Sequence, residues 1–190
     1  MGFTGKEWKL DAATTAKITE RGPVKTTIRV EKTFLGDTKA RRKPTEDFPS
    51  SFFTQEISVY EGLPWVEMRL AADWWEDHIC AKVAFPLSVN PPKATYEVPY
   101  AALERSTKRE TPWEKARYEV PAQKWADMTE NDFGVSLLNE AKYGYDALGN
   151  VLRLTCFRAP TSPDPIADRG HHDFTYALFP HKGIGATAGR

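Results

Sequence analysis

Alternation with a period of two runs through most of this chain. In WVEMRLAADW, residues 65–74, Val66, Met68, Leu70, Ala72 and Trp74 fall on one side, with Glu67, Arg69 and Asp73 on the other. That is the pattern of a strand with one face on a core. VKTTIRV places Val24, Thr26, Ile28 and Val30 on one face, QEISVY does the same with Ile57 and Val59, and ICAKVAFPL with Ile79, Ala81, Val83 and Phe85. Pro86 then interrupts the ladder, because proline has no N–H to donate. ATYEVPY, ARYEV, FGVSLLN, VLRLTCF and DFTYALF complete the set of expected strands.

Turn residues separate these runs at Glu61-Gly62-Leu63-Pro64, Asn90-Pro91-Pro92, Leu148-Gly149-Asn150 and Pro163-Asp164-Pro165. About ten strands at such spacing predict an all-β fold, a large antiparallel β-sandwich. Less than a tenth of the chain is expected to be helical, the best candidate being a short turn near Asp132. The charged run from Asp37 to Ser51 reads as a solvated hairpin tip. A second polar segment, Glu104 to Ala116, is expected to wrap across the sandwich with Trp113 as its anchor. No internal repeat is visible. The expected organisation is one β-sandwich domain over residues 1–190.

Composition narrows the function classes. The 190 residues carry 26 basic and 26 acidic side chains, for a formal net charge of zero. That balance lacks the field that binding to nucleic acid or an anionic membrane requires. Cys80 and Cys156 both sit in apolar strand patterns and are expected as buried free thiols. Neither a membrane-spanning apolar segment nor the apolar run of a signal peptide is present. The location expected for the chain as given is cytoplasmic.

Each candidate chemistry competes with a structural role. A glycosidase needs two carboxylates flanking the scissile bond, but 26 acidic residues allow no choice of pair, and Asp164, Asp168 and Asp173 sit in ordinary turn chemistry. Asp168, His171, His172 and His181 could ligate a metal. Their spacing matches no strong zinc pattern, however, and adjacent histidines on a strand point to opposite faces. A loop with one buried, hydrogen-bonded histidine is favoured. Trp74, Trp75, Trp113, Trp125, Tyr143 and Tyr145 could stack on a sugar, although core packing competes for each. Of Trp74 and Trp75, one should be buried and the other exposed or covered by a partner. Phosphate loops, GxSxG elbows and CxxC pairs are absent.

Six stretches in this order resemble one family. They are VEMRLAADWWEDH followed by KVAFPL, then TYEVPYAALER, TPWEKARYEVPAQKWADMTE, FGVSLLNEAKYGYDALGNVLRL and RAPTSPDPIADRGHHDFTYALFPH. Together they resemble the carboxy-terminal β-domain of glycoside hydrolase family 38, the α-mannosidases, especially the branch with the cytosolic and vacuolar enzymes. The resemblance implies a supersandwich of the galactose-mutarotase-like type, placed after a catalytic domain and a three-helix bundle. It also implies that the catalytic domain holds the zinc, with two His and two Asp, and the Asp nucleophile. Those motifs have no counterpart here, so no cofactor and no catalytic residue is expected in this chain.

The resemblance implies that loops of this domain help to shape the substrate cleft. The expected positions are Lys142, Tyr143, Tyr145 and Asp146, and in the late loop Arg158, Asp164, Asp168 and His171. Expected partners are the catalytic domain of the same polypeptide and mannose-containing glycans, with homo-oligomers as a further expectation. Both chain ends read as cut from a longer β-region. One alternative is a stand-alone carbohydrate-binding or mutarotase-like module. A mutarotase would need a His acid and a Glu base facing each other; only His78 and the late histidines are available, and the sequence places no Glu convincingly as their partner. Another is a structural domain without a ligand.

Overall fold

Thirteen antiparallel strands and one short helix make up the computed structural model, which describes residues 7, 9, 10, 15–34 and 50–183. The strands are β1 (Thr15–Arg21), β2 (Lys25–Phe34), β3 (Ser51–Tyr60), β4 (Val66–Trp74), β5 (Ala81–Pro86), β6 (Lys93–Val98) and β7 (Ala101–Ser106). After helix α1 (Pro112–Ala116) come β8 (Val120–Pro121), β9 (Trp125–Glu130), β10 (Phe133–Asn139), β11 (Gly144–Leu148), β12 (Val151–Phe157) and β13 (Gly170–Lys182). One sheet has nine strands in the order β1-β2-β3-β4-β13-β10-β9-β6-β7, and the other has four, β5-β12-β11-β8. The expected antiparallel β-sandwich is therefore present.

The core lies between the sheets. Met68, Leu70, Ala72 and Trp74 of β4 meet Leu152, Leu154 and Phe157 of β12 and Tyr145 of β11, all buried. Alternation dictates this arrangement, since every second residue of β4 points at the opposite sheet. Trp74 is its largest member, stacked at 5.1 Å on Phe157 and 6.3 Å on Phe34, with Phe53 edge-on at 5.9 Å. Its neighbour Trp75 is half-buried, as the alternation requires. Cys80 and Cys156 are free thiols, and burial pushes the Cys156 thiol up to about 12.

The sheets are unequal in width. Ile18 pairs with Ile28, Ile28 with Ile57, and Ile57 with Met68, so all four share the core-facing side. Met68 is buried, yet Ile28 is 40% and Ile18 55% exposed. The apolar face expected for residues 24–30 is thus the inner face. Ile57 is still partly buried against the core, and exposure then rises through Ile28 to Ile18.

Three expectations change. Asp132 lies in a two-residue hairpin turn between Glu130 and Phe133, with Asn131 at φ 59°, and not in a helical turn. The helix is α1, where Thr111 caps Glu114 N and Glu114 caps Thr111 N, with proline in the first turn. ARYEV contributes only Val120 to a strand because α1 takes its first residue. The 104–116 segment begins as β7 and then runs over β11, but Trp113 does not anchor it, being 77% exposed. Arg109 does, donating to Asp146 Oδ1 and to the Tyr118 carbonyl, both at 3.1 Å. Of the run from Asp37 to Ser51, residues 37–49 lie outside the described residues, between the paired Phe34 and Ser51.

Candidate functional site

Three loops gather at the end of the sandwich where β4 stops and β13 starts: residues 75–80, 140–143 and 158–169. The late loop is fastened at several points. Asp168 Oδ2 accepts the backbone N–H groups of Arg158 at 2.8 Å and Ala159 at 2.9 Å, with Ala159 and Asp168 both at positive φ. His78 N donates to the Ala159 carbonyl at 2.8 Å, and Arg169 Nη2 reaches Asp77 Oδ1 at 2.6 Å. Asp164 Oδ1 accepts Ile166 N at 3.0 Å, closing a local turn. Loops tied down this densely present their remaining side chains in fixed positions.

Lys142 lays its ammonium 4.5 Å from the Phe174 ring and 5.1 Å from the Phe157 ring, a pair of cation–π contacts beside the late loop. Tyr143 next to it is 62% exposed. Gly144 starts β11 where a Cβ would lie 2.9 Å from Thr155 Cβ, so only glycine lets β11 approach β12 this closely. Tyr145 points into the core, and its hydroxyl is bonded to Asn139. Burial there raises its pKa.

Asp146 faces the other way and is also buried, under the 107–119 segment. Lys82 at 2.6 Å, Arg153 at 2.6 Å and Arg109 at 3.1 Å surround it. Glu119 extends the network, 3.3 Å from Lys82 and 3.6 Å from Arg158 Nη1, while accepting Thr155 Oγ1 at 2.7 Å. Arg158 and Asp146 are therefore joined through Glu119 and Lys82. Sequence reasoning missed Lys82, Arg153, Arg109 and Glu119. The first two stand at outward positions of β5 and β12, but nothing local says that they meet.

The histidines separate as alternation requires. His171 is exposed on the outer face, 3.1 Å from Asp73. His172 turns inward onto Phe157, ring centroids 4.5 Å apart, and donates Nε2–H to the Asp168 carbonyl at 2.8 Å. His181 lies near the far end of β13, 2.7 Å from the buried Asp127. Asp168, His171, His172 and His181 do not converge. Among the described residues no group of three His, Cys, Asp or Glu side chains is placed to hold a metal ion. The late carboxylates are each engaged structurally, Asp173 by Arg69 at 2.8 Å. The structure brings Lys142, Tyr143, Arg158 and Asp168 to one end, turns Tyr145 and Asp146 inward, and leaves His171 on the outer face.

The fold is an antiparallel β-sandwich of nine and four strands, with loops fastened at one end. The model of the glycosyl hydrolases family 38 C-terminal domain matches residues 4–166, and the chain belongs to that family. Its relatives are α-mannosidases. Mouse alpha-mannosidase 2C1 is 48% identical over 141 residues, which is 74% of this chain and 14% of that protein. Alpha-mannosidase G of Dictyostelium discoideum is 37% identical over 171 residues, 89% of this chain and 15% of that protein. The chain thus spans about one seventh of the curated relatives it matches. An alpha-mannosidase from Enterococcus faecalis V583 shares the fold at a TM-score of 0.73 and 17% identity, over 88% of this chain and 22% of that one.

Proposed function

We propose that this chain is the accessory domain of a cytoplasmic α-mannosidase, packing on a catalytic domain of the same polypeptide and forming one wall of its substrate cleft. In this reading the parent hydrolyses terminal α-mannosides and carries its zinc in the catalytic domain. This chain's loops then meet the glycan. The observation that carries the reading is the fastened late loop. Asp168 spends its carboxylate holding the Arg158 backbone, which leaves the Arg158 side chain and the Tyr143 ring at the surface on one rigid end.

The eight positions then divide by task. Tyr143, Arg158 and His171 are the exposed groups that can touch a glycan or the neighbouring domain. Lys142, Asp164 and Asp168 fix the loops, while Tyr145 and Asp146 support them from within. The uncovered inner face around Ile18 and Ile28 suits inter-domain packing, for which about 600–1,500 Å² is typical. A stand-alone sugar-binding module is less well supported. The cavity beside Tyr96 and Asp146, roughly 50 Å³, falls far short of the ~300 Å³ or more of small-molecule pockets.

The test is alanine at Tyr143 and Arg158 in the full-length parent, assayed on an aryl α-mannoside and on a mannobiose. Raised KM or lowered kcat is expected. Unchanged kinetics on both substrates would reduce these loops to scaffold. Zinc-dependent release of nitrophenol by this chain alone would refute the accessory reading.

A further inference from the structure

A cavity of roughly 50 Å³ opens between the β6–β7 hairpin, the 107–118 segment and the edge of β11. Arg105, Lys108, Arg109 and Arg117 line it, against only two carboxylates, Asp146 and Glu114. Both carboxylates are already engaged. Asp146 is held by Lys82, Arg109 and Arg153. Glu114 Oε2 accepts the backbone N–H groups of Glu110 and Thr111, each at 2.9 Å. The cations therefore outnumber the carboxylates that could pair with them.

Arg105 is the least satisfied of the four. Its guanidinium lies 4.8 Å from the centroid of the buried Tyr96 ring, which fixes its plane. Its Nη1 is buried without a hydrogen-bond partner. Buried donors almost always have a protein, water or ion partner, so an orphan in a polar cavity marks a place for one. Burial also lowers the Arg105 pKa, and the nearby Arg117 charge acts in the same direction. Arg117 is exposed and has no carboxylate partner among the described residues, while Lys108 stands 3.8 Å from Glu110 in an exposed pair.

An oxyanion would meet every one of these deficits. It would accept from Arg105 Nη1, offset the excess charge and place a negative group between two arginines whose forks match oxygen pairs. The cavity is small, roughly 50 Å³, which suits a compact anion. We propose that Arg105, Lys108 and Arg117 form a binding site for one phosphate group, either the free ion or the end of a phosphate monoester. The site faces the 107–118 segment, and its three proposed ligands are not among the positions assigned to the substrate cleft, so its test does not depend on the mannosidase reading.

The test is a thermal melt and calorimetric titration of the 190-residue chain with inorganic phosphate and with methyl phosphate, chloride being exchanged to hold ionic strength constant. The expected result is a saturable rise in Tm with phosphate, and an affinity at least tenfold weaker in R117Q and in R105Q. Arg117 and Lys108 are exposed, so R117Q and K108Q keep the test valid if R105Q fails to fold. Binding of methyl phosphate as tight as phosphate assigns a monoester end, and binding of phosphate alone assigns the free ion. Equal shifts with phosphate and chloride, or unaltered phosphate affinity in an R117Q/K108Q double variant, overturn the proposal.

Discussion

Asp168 Oδ2 sits 2.8 Å from the backbone nitrogen of Arg158, ten residues back along the chain, so one carboxylate closes the whole late loop. The same oxygen holds Ala159 N. Asp168→Ala removes the one oxygen that accepts both bonds and leaves alanine in a left-handed conformation. A loss of about 2 kcal/mol is expected, together with faster protease cleavage within 158–169. Asp168→Asn, which keeps one oxygen and tolerates positive φ, should recover part of both. Urea melts and limited proteolysis read the two effects separately.

Gly134 faces a buried polar cluster in which Asp127 accepts Thr129 Oγ1 at 2.6 Å, Ser136 Oγ at 2.7 Å and His181 Nε2 at 2.7 Å. A Cβ at Gly134 would collide with Thr129 Oγ1 and lie 2.7 Å from His181 Nε2. Gly134→Ala should therefore destabilise the chain by about 1–3 kcal/mol, the usual range for overpacking. A Tm within error of the parent would show that Thr129 and His181 can move aside without breaking the cluster.

The Arg69–Asp173 pair gives a pH dependence of defined sign. Hydrogen bonding to Arg69 holds the Asp173 carboxyl below its ordinary range. A carboxyl with a depressed folded pKa adds stability above its unfolded value, near 3.9, and that stability is lost as pH falls through the folded value. The advantage of the parent over Asp173→Asn should be present at pH 7 and shrink below about pH 4. The pair is largely exposed, so the difference will be small. Chemical denaturation at pH 7 and pH 3 measures it, and a difference that grows on acidification would contradict the assignment.

Cysteine labelling reports on the core. With its thiol pushed up to about 12 by burial, Cys156 stays protonated and enclosed at neutral pH. Iodoacetamide at pH 8 should modify Cys80 slowly, since burial raises its pKa too, and Cys156 only as denaturant opens the sandwich. Equal labelling of both thiols in buffer would mean that β12 is not enclosed.

Strands with a complete apolar face could be read from the sequence. In β4 all five expected core positions face inward because alternation and burial coincide. Residues 24–30 show what the pattern omits, since Ile28 points to the inner side but the opposite sheet does not reach it. Period two fixes a face and cannot fix the width of the sheet opposite. Helix α1 was overlooked although Thr111-Pro112-Trp113-Glu114 spells a capping box, because five residues carry no apolar period. In the site, Tyr145 and Asp146 illustrate the limit. Adjacent strand residues should have one inside and one outside, yet both are buried because a segment some 30 residues earlier covers the second. Long-range cover of that kind has no local signature.

β1 is the outermost described strand of the large sheet and every one of its residues is exposed, a position where edge-to-edge pairing with another strand is the general hazard. Its sequence answers that hazard with Lys17, Glu20 and Arg21, charges of the sort that block edge-to-edge pairing. Such a guard works only while its charges are felt, and the Debye length falls from about 10 Å at 0.1 M salt to about 3 Å at 1 M. Strong brine would strip it away, leaving the Ile18–Ile28 strip to seed fibrillar stacking of one copy on the next. Dilute buffer is therefore the condition in which this guard is expected to hold.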